Sequence, residues 1–454
     1  MSGTDLTARD ARALWHPYTQ HGLGITPLQV ASARGAHLHL KDGRRILDAI
    51  SSWWVILHGH CHPDITAAVA EQAATLEQVI LAGHTHEPAV RLAEILIGAA
   101  REAGTDLTRV FYSDNGSTAV EVALKMAYQY HINRGGTPRR RFIALSDAYH
   151  GDTFGAMAVG EPEGFHGIFR PLLPPVDFVA PGDTAALARI LSRHPCEHAA
   201  MIVEPLVQGA GGMRFYPAAF LTEAERLCRE AGVLLIVDEV FTGFYRTGRC
   251  FAFEHAGVRP DLICLSKGLT GGFLPLAATL ATEEIFEGFL SQDRTKALMH
   301  GHSFAGNPIA CAAGIASWAI LEASECRQRI GEICDLTARR VDHLASHPAS
   351  RNARHLGTIG AIDLTGPPGY FSTLGLRMYE EALSRNVLLR PLGNVLYTVP
   401  PYCVTDEEIG LIYDTMERIL DRCGTSRRKE DVEHRVAPGG PAGHRAGRAN
   451  HPKT

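Results

Sequence analysis

The stretch Val233-Leu234-Leu235-Ile236-Val237-Asp238-Glu239 sets the fold class. Apolar, mostly branched residues follow one another without alternation and then stop at two carboxylates. Continuous apolarity is what a strand covered by helices on both faces requires, whereas a half-exposed strand alternates. Outward from it, four more runs share this character: Val110-Phe111-Tyr112, Phe142-Ile143-Ala144-Leu145, Ala200-Met201-Ile202-Val203 and Leu262-Ile263-Cys264-Leu265. They end on Ser113-Asp114-Asn115-Gly116, Ser146-Asp147-Ala148-Tyr149, Glu204 and Ser266-Lys267-Gly268. Strands alternating with segments of helical period predict an α/β fold with a mostly parallel central sheet. Ligands of such sheets bind beyond the carboxyl ends of the strands, so these tips are expected to converge on one site.

Helices fill the intervals. His86 to Ala100 places Pro88 in a first turn and Val90, Leu92, Ile95, Leu96 and Ala99 on an apolar face. A second runs from Thr222 to Ala231, closed by Gly232 as a C-terminal cap. The 454 residues exceed what one core organises. We expect residues 1–52 to join a small domain, 53–318 to form the large domain and 319–423 the smaller α+β domain. Residues 424–454, rich in Gly, Pro, Arg and His, are expected to be a disordered tail.

Composition narrows the function. A net charge of -5 and the lack of a basic stripe interleaved with aromatics argue against nucleic acid and anionic membranes, leaving a small-molecule substrate. The 10 cysteines form no Cys-x-x-Cys pair, which disfavours a zinc ribbon and a secreted disulfide framework. No signal peptide and no apolar run of membrane-spanning length is found, so a cytoplasmic location is expected.

Gly116-Ser117-Thr118 follows a strand and opens a helix, with Thr118 and Glu121 as the expected capping box. Free backbone N–H groups and the helix dipole there suit a phosphate, although Ser and Thr cap many helices without binding one. Asp238 is a carboxylate at a buried strand tip. It is costly there unless a cation or several donors meet it; a protonated cofactor ring nitrogen would do so, and so would a turn cap or a metal shared with Glu239. Lys267, followed by Gly268 and by Gly271-Gly272, sits at the ligand edge, where desolvation lowers a lysine's pKa and makes it a nucleophile. Tyr149 offers a ring face at a third tip. Glu204 reads equally as a buried ion-pair member and as a cofactor contact. His58-Gly59-His60-Cys61-His62, His84-Thr85-His86 and His300-Gly301-His302 carry metal-ligand residue types but no matching acidic partners, and no metal is expected.

Taken with Trp15-His16-Pro17-Tyr18, Ser51-Ser52-Trp53-Trp54, Tyr149-His150-Gly151-Asp152 and Gln208-Gly209-Ala210-Gly211-Gly212-Met213-Arg214, these motifs resemble the class III, or omega-type, aminotransferases of fold type I. The resemblance covers about Leu14 to Tyr402. It implies pyridoxal 5'-phosphate as cofactor, with Lys267 as its Schiff-base lysine, Asp238 meeting the pyridine nitrogen, Gly116 and Ser117 binding phosphate, and Tyr149 lying against the ring. It also implies Tyr18 as a second catalytic residue and Trp53, Tyr149, Gly301 and Arg390 around the substrate, a keto acid whose carboxylate Arg390 can bind in bidentate fashion. His302 and Ser303 belong by resemblance to the cofactor site, Ser303 reaching it from the partner subunit of a homodimer.

Three departures lie near where the amino donor is chosen. Gly301-His302-Ser303 stands where relatives using adenosylmethionine commonly have Gly-Pro-Thr, Tyr245 stands where glycine is common, and Phe241 replaces a small residue. Adenosylmethionine and lysine therefore both remain as donors. A general omega-amino-acid aminotransferase and a non-catalytic binding protein are the competing readings.

Overall fold

The computed structural model describes residues 5–161, 165–366, 370 and 372–433, with side chains as far as Arg422. Its central sheet has seven strands in the order Leu107–Ser113, Ala277–Thr282, Leu262–Leu265, Leu234–Asp238, His198–Val203, Arg141–Leu145, Val176–Val179. Ala277–Thr282 is antiparallel to both of its neighbours, and the other pairs are parallel. Leu235, Val237, Ile263 and Leu265 enter one buried cluster while Ile236, Leu262 and Cys264 enter another. The two faces are thus both covered, which is why these strands are apolar at every position.

All five runs form strands. The sequence reading lacked two others. Ala277–Thr282 is built from alanine, threonine and one leucine, a composition with weak strand preference. Val176–Val179 is interrupted by Asp177, which pairs with Arg141 at 2.6 Å and His198 at 2.8 Å.

The predicted helices are present with shifted ends. One spans Glu87–Glu102, with His86 as its N-cap accepting the Ala89 N–H on its ring. The other begins earlier than expected, at Ala218, directly after Pro217, and Gly232 follows it at φ +63°. The capping box at the candidate phosphate site is corrected. Asn115, not Thr118, is the N-cap of Gly116–Asn133, and Thr118 is its N3 partner. Glu121 instead accepts the Gly155 N–H at 2.6 Å.

Val30–Arg34, His37–Leu40 and Arg45–Asp48 form a second sheet completed by Val387–Leu388, so the N-terminal strands pair with the C-terminal part of the chain. A third sheet holds Ser350–Leu356, Ile359–Leu364 and Val395–Thr398. Helix Pro308–Glu322 passes through residue 318, where a domain boundary was expected. Helix Asp406–Glu433 continues into the segment expected to be disordered. Arg, Lys and Glu are good helix formers, so a shortage of aliphatic residues does not prevent helical backbone there. Residues 434–454 of that segment lie outside the described residues.

Two local features fix the loops above the sheet. Ser51, Ser52, Trp53 and Trp54 have φ of 51, 44, 71 and 74°, a left-handed turn without a glycine. The Trp54 N–H donates to Ile50 O and the Val55 N–H to Ser51 O. Such backbone costs about 1–2 kcal/mol per residue in L-amino acids. Arg246 is fully buried and donates to Pro400 O at 2.8 Å, Ile56 O at 3.0 Å and Trp54 O at 3.4 Å, binding distant loops together. A buried acceptor left without a donor costs about 1–3 kcal/mol. Arg246→Leu is therefore expected to destabilise the apoprotein by at least about 3 kcal/mol, measured by urea unfolding; a loss below about 1 kcal/mol would show that the carbonyls find other donors.

Candidate active site

The strand tips enclose a cavity of about 450 Å³ lined by Gly116, Ser117, Tyr149, Glu204, Asp238 and Lys267, with Trp54, Phe241 and His150 among the other walls. Five strands of the central sheet each contribute at their carboxyl end, as the parallel topology requires.

At one end lies the N-terminus of Gly116–Asn133. Asn115 takes the Thr118 N–H at 3.2 Å, and the first turn keeps N–H groups without intrahelical acceptors. A side chain at Gly116 would press to 2.7 Å from Val240, and one at Gly151 to 2.0 Å from Ser117 Oγ. Ser117 Oγ accepts the Asp152 N–H at 3.1 Å and keeps its own proton to donate. Backbone donors, a hydroxyl and a helix dipole suit a phosphate.

Across the cavity, Asp238 is buried. Its Oδ2 lies 2.7 Å from His150 Nδ1, and its Oδ1 accepts the Val240 N–H at 3.0 Å. His150 is the functional neighbour that sequence reasoning left without a role. Its partner Asp238 is 88 residues away in the chain, so no local pattern pairs the two. Glu204 lines the cavity and also has a structural part. Its carboxylate accepts the Tyr149 N–H at 2.9 Å and the Gly209 N–H at 2.8 Å, clamping two loops, and burial pushes it up to about 7.

Lys267 is enclosed, with Nζ 4.7 Å from the Trp54 ring centre and 5.9 Å from that of Phe241, and its backbone is left-handed at φ 46°. Burial lowers its amine to about 8 from the ordinary 10.5; Asp238 and Glu204 pull it up, and Arg246 pushes it down. An amine that is partly free at neutral pH can attack an aldehyde and carry a proton. A phosphate cradle, a directed carboxylate and a desolvated lysine lining one cavity fit pyridoxal phosphate.

Tyr18, Trp53 and Arg390 form a second group joined to the cavity through Tyr149. Tyr18 Oη lies 3.1 Å from Tyr149 Oη and donates to Asp152 Oδ2. The Tyr18 ring meets Trp53 edge-on at 5.3 Å, and the Arg390 guanidinium lies 4.2 Å from the Trp53 ring centre. Burial, then Asp152, pushes the Tyr18 hydroxyl above the usual phenol range, so it keeps its proton. Tyr149 stacks on His166 at 5.8 Å.

Gly301, His302 and Ser303 do not line the cavity. His302 Nδ1 lies 2.8 Å from Asp114 Oδ2, and Ser303 O accepts from Gln78. Of the departures, Phe241 packs on Trp54 at 4.4 Å inside the wall, whereas Tyr245 lies under Arg327 at 4.2 Å, outside the lining. Two of the candidate metal histidines are otherwise engaged, His58 with Ser317 and His60 with Asp48. Among the described residues no group of three or more His, Cys, Asp or Glu is arranged to hold a metal ion.

Residues 18–420 match the family model described as aminotransferase class-III. The chain belongs to this family and is a pyridoxal-phosphate-dependent aminotransferase of fold type I acting on small-molecule substrates. It is 50% identical over 422 residues to the adenosylmethionine-8-amino-7-oxononanoate aminotransferase of Synechococcus elongatus, covering 90% of this chain and 98% of that one. The solved structure of the enzyme of the same name from Methanocaldococcus jannaschii superposes with a TM-score of 0.86 at 36% identity, covering 91% and 98%. An omega transaminase from Pseudomonas jessenii gives 0.88 at 27% identity, covering 93% and 99%. No single described helix is long and apolar enough to cross a membrane.

Only the free amine is a nucleophile, so capture of pyridoxal phosphate by the apoprotein, followed by visible absorbance, is expected to rise with pH through about 8. Asp238→Asn removes a charge that holds the amine protonated and is expected to move that midpoint lower. Between about 8 and 10.5 the unfolded chain binds more protons at this lysine than the folded one, so apoprotein stability rises across the same window. A capture midpoint near the ordinary 10.5 would contradict the burial of Lys267.

Proposed function

We propose that this chain aminates 8-amino-7-oxononanoate to 7,8-diaminononanoate in biotin biosynthesis, with S-adenosylmethionine as amino donor. The observation that carries the reading is Arg390, half-buried, stacked on Trp53 and with no carboxylate within ion-pair distance among the described residues. A guanidinium held on an aromatic wall away from Lys267 suits a carboxylate at the end of a long apolar chain. Trp53 and Tyr18 supply the walls for that chain. The name shared by the Synechococcus and Methanocaldococcus relatives supports the same substrate pair.

In this reading Gly116 and Ser117 hold the cofactor phosphate, Asp238 meets the ring nitrogen with His150 keeping the carboxylate directed, and Tyr149 borders the ring. Bound pyridoxal phosphate supplies the electron sink that lets the donor's amine-bearing carbon lose a proton. Lys267 Nζ takes that proton and delivers one in return, its amine held near neutrality by burial. Tyr18 stays protonated and orders Tyr149 and Asp152 around the reacting amine. Trp54 and Phe241 exclude water from Nζ.

The enzyme is a homodimer in this reading. Gly301, His302 and Ser303 complete the cavity of the partner subunit, which is supported by the exposure of Met299 at 85% and Phe304 at 64% beside them. A cytoplasmic location is supported by the nine described cysteines, all of them free.

Holoenzyme supplied with 8-amino-7-oxononanoate is expected to form the diamine with S-adenosylmethionine, read by mass spectrometry; formation with lysine alone would replace the donor, and formation with neither would refute the substrate. Arg390→Ala removes charge-assisted hydrogen bonds of about 1.5–3 kcal/mol and should raise the KM for the keto acid about 10- to 100-fold. An equal loss in the donor half reaction would contradict the role given to Arg390.

A further inference from the structure

Trp53 and Trp54 are adjacent in the chain yet serve different places. Trp54 faces Lys267 Nζ at 4.7 Å, while Trp53 faces Arg390 at 4.2 Å and Tyr18 at 5.3 Å. The left-handed turn Ser51–Trp54 makes this possible. With Trp54 kept on Lys267, a right-handed turn would rotate the preceding side chain in the opposite sense and carry Trp53 away from Arg390. None of the four residues is glycine, so the turn must be held from outside.

The holders are identifiable. Trp54 is anchored by its Nε1–H donating to Tyr397 Oη at 3.2 Å and by Arg246 on its carbonyl, and Ser51 Oγ donates to Val399 O at 2.8 Å. The side next to Trp53 depends on Asp48, a fully buried carboxylate that lies outside the cavity lining. Ser52 Oγ donates to Asp48 Oδ2 at 2.8 Å, His60 Nε2 lies 2.9 Å from the same oxygen, and the Ile50 N–H donates to Oδ1 at 3.3 Å. The carboxylate therefore ties the residue before the turn, the turn itself and the loop after it.

We infer that the Asp48–Ser52–His60 cluster is a clamp that holds the Ser51–Trp54 turn left-handed, and that Ser52 is thereby a positioning residue for substrate specificity, setting Trp53 against Arg390. Ser52 does not line the cavity; it acts through Trp53. The inference rests on the substrate reading above only in taking the keto acid as the ligand that senses Trp53.

A left-handed residue without a clamp is unfavourable for alanine and free of penalty for glycine, so two substitutions separate the clamp from a general loss of structure. In Ser52→Ala the KM for 8-amino-7-oxononanoate is expected to rise about tenfold with kcat at saturation nearly kept. The near-ultraviolet circular dichroism of the tryptophans falls as the pair loses its fixed arrangement. In Ser52→Gly, which lacks the same hydroxyl, the KM stays within about threefold of the parent and the tryptophan signal is largely retained. Ser52→Ala indistinguishable from the parent in both measurements would overturn the clamp, and Ser52→Gly impaired as much as Ser52→Ala would overturn its role in holding the left-handed turn. A parent enzyme that forms no diamine defeats the substrate reading instead, and the circular dichroism comparison then still decides the clamp.

Discussion

A lysine amine has to be buried at the end of a parallel strand, and the arrangement of the site follows from what that burial demands. Lys267 lies against Trp54 and Phe241, where an ammonium loses its water. Asp238 and Glu204 offset part of that loss, so the amine is poised near neutral pH rather than left unable to hold a proton. Those carboxylates are costly in turn. Asp238 is met by His150 and the Val240 N–H, Glu204 by the Tyr149 and Gly209 N–H groups. The same contacts orient the strand-tip loops, so the electrostatic requirement of one lysine also shapes the cavity.

Strain gathers where the chemistry is. Tyr18, Trp53, Trp54 and Lys267 all have left-handed backbone without being glycine. Such conformations persist only where surrounding contacts over-determine them. Here the surroundings are buried polar groups: Arg246 on three carbonyls, Asp48 beneath Ser52, Tyr397 on the Trp54 indole. A guanidinium donating to carbonyls keeps its charge and rigid fork, which suits it to join loops that share no secondary structure.

This division explains what could be read from the sequence. Val233–Val237 and its sister runs were legible because burial on two faces leaves a one-dimensional signature, and the tips were legible because polar residues there break it abruptly. Ala277–Thr282 was not, since small residues fit strand and helix alike. The N-cap was misplaced by three residues because Asn115 and Thr118 are both good caps, and only the turn geometry selects between them. The left-handed turn had no signal at all: Ser-Ser-Trp-Trp contains neither glycine nor asparagine, and the groups that hold it lie at Asp48, His60, Arg246, Tyr397 and Val399. Contacts of that range are set by tertiary structure and leave no local pattern.

The departures from the family pattern take on different weights once they are placed. Tyr245 packs under Arg327 outside the cavity lining, so it bears on packing there rather than on the cavity wall. Phe241 is in the wall itself, stacked on Trp54 and facing Lys267 Nζ. Its ring fills space beside the amine and thickens the apolar shell around it. His302 differs again. Its Nδ1 lies 2.8 Å from Asp114 Oδ2 at the foot of the phosphate cradle. Its contact is therefore polar, made through Asp114 beside the cradle, whereas that of Phe241 is steric.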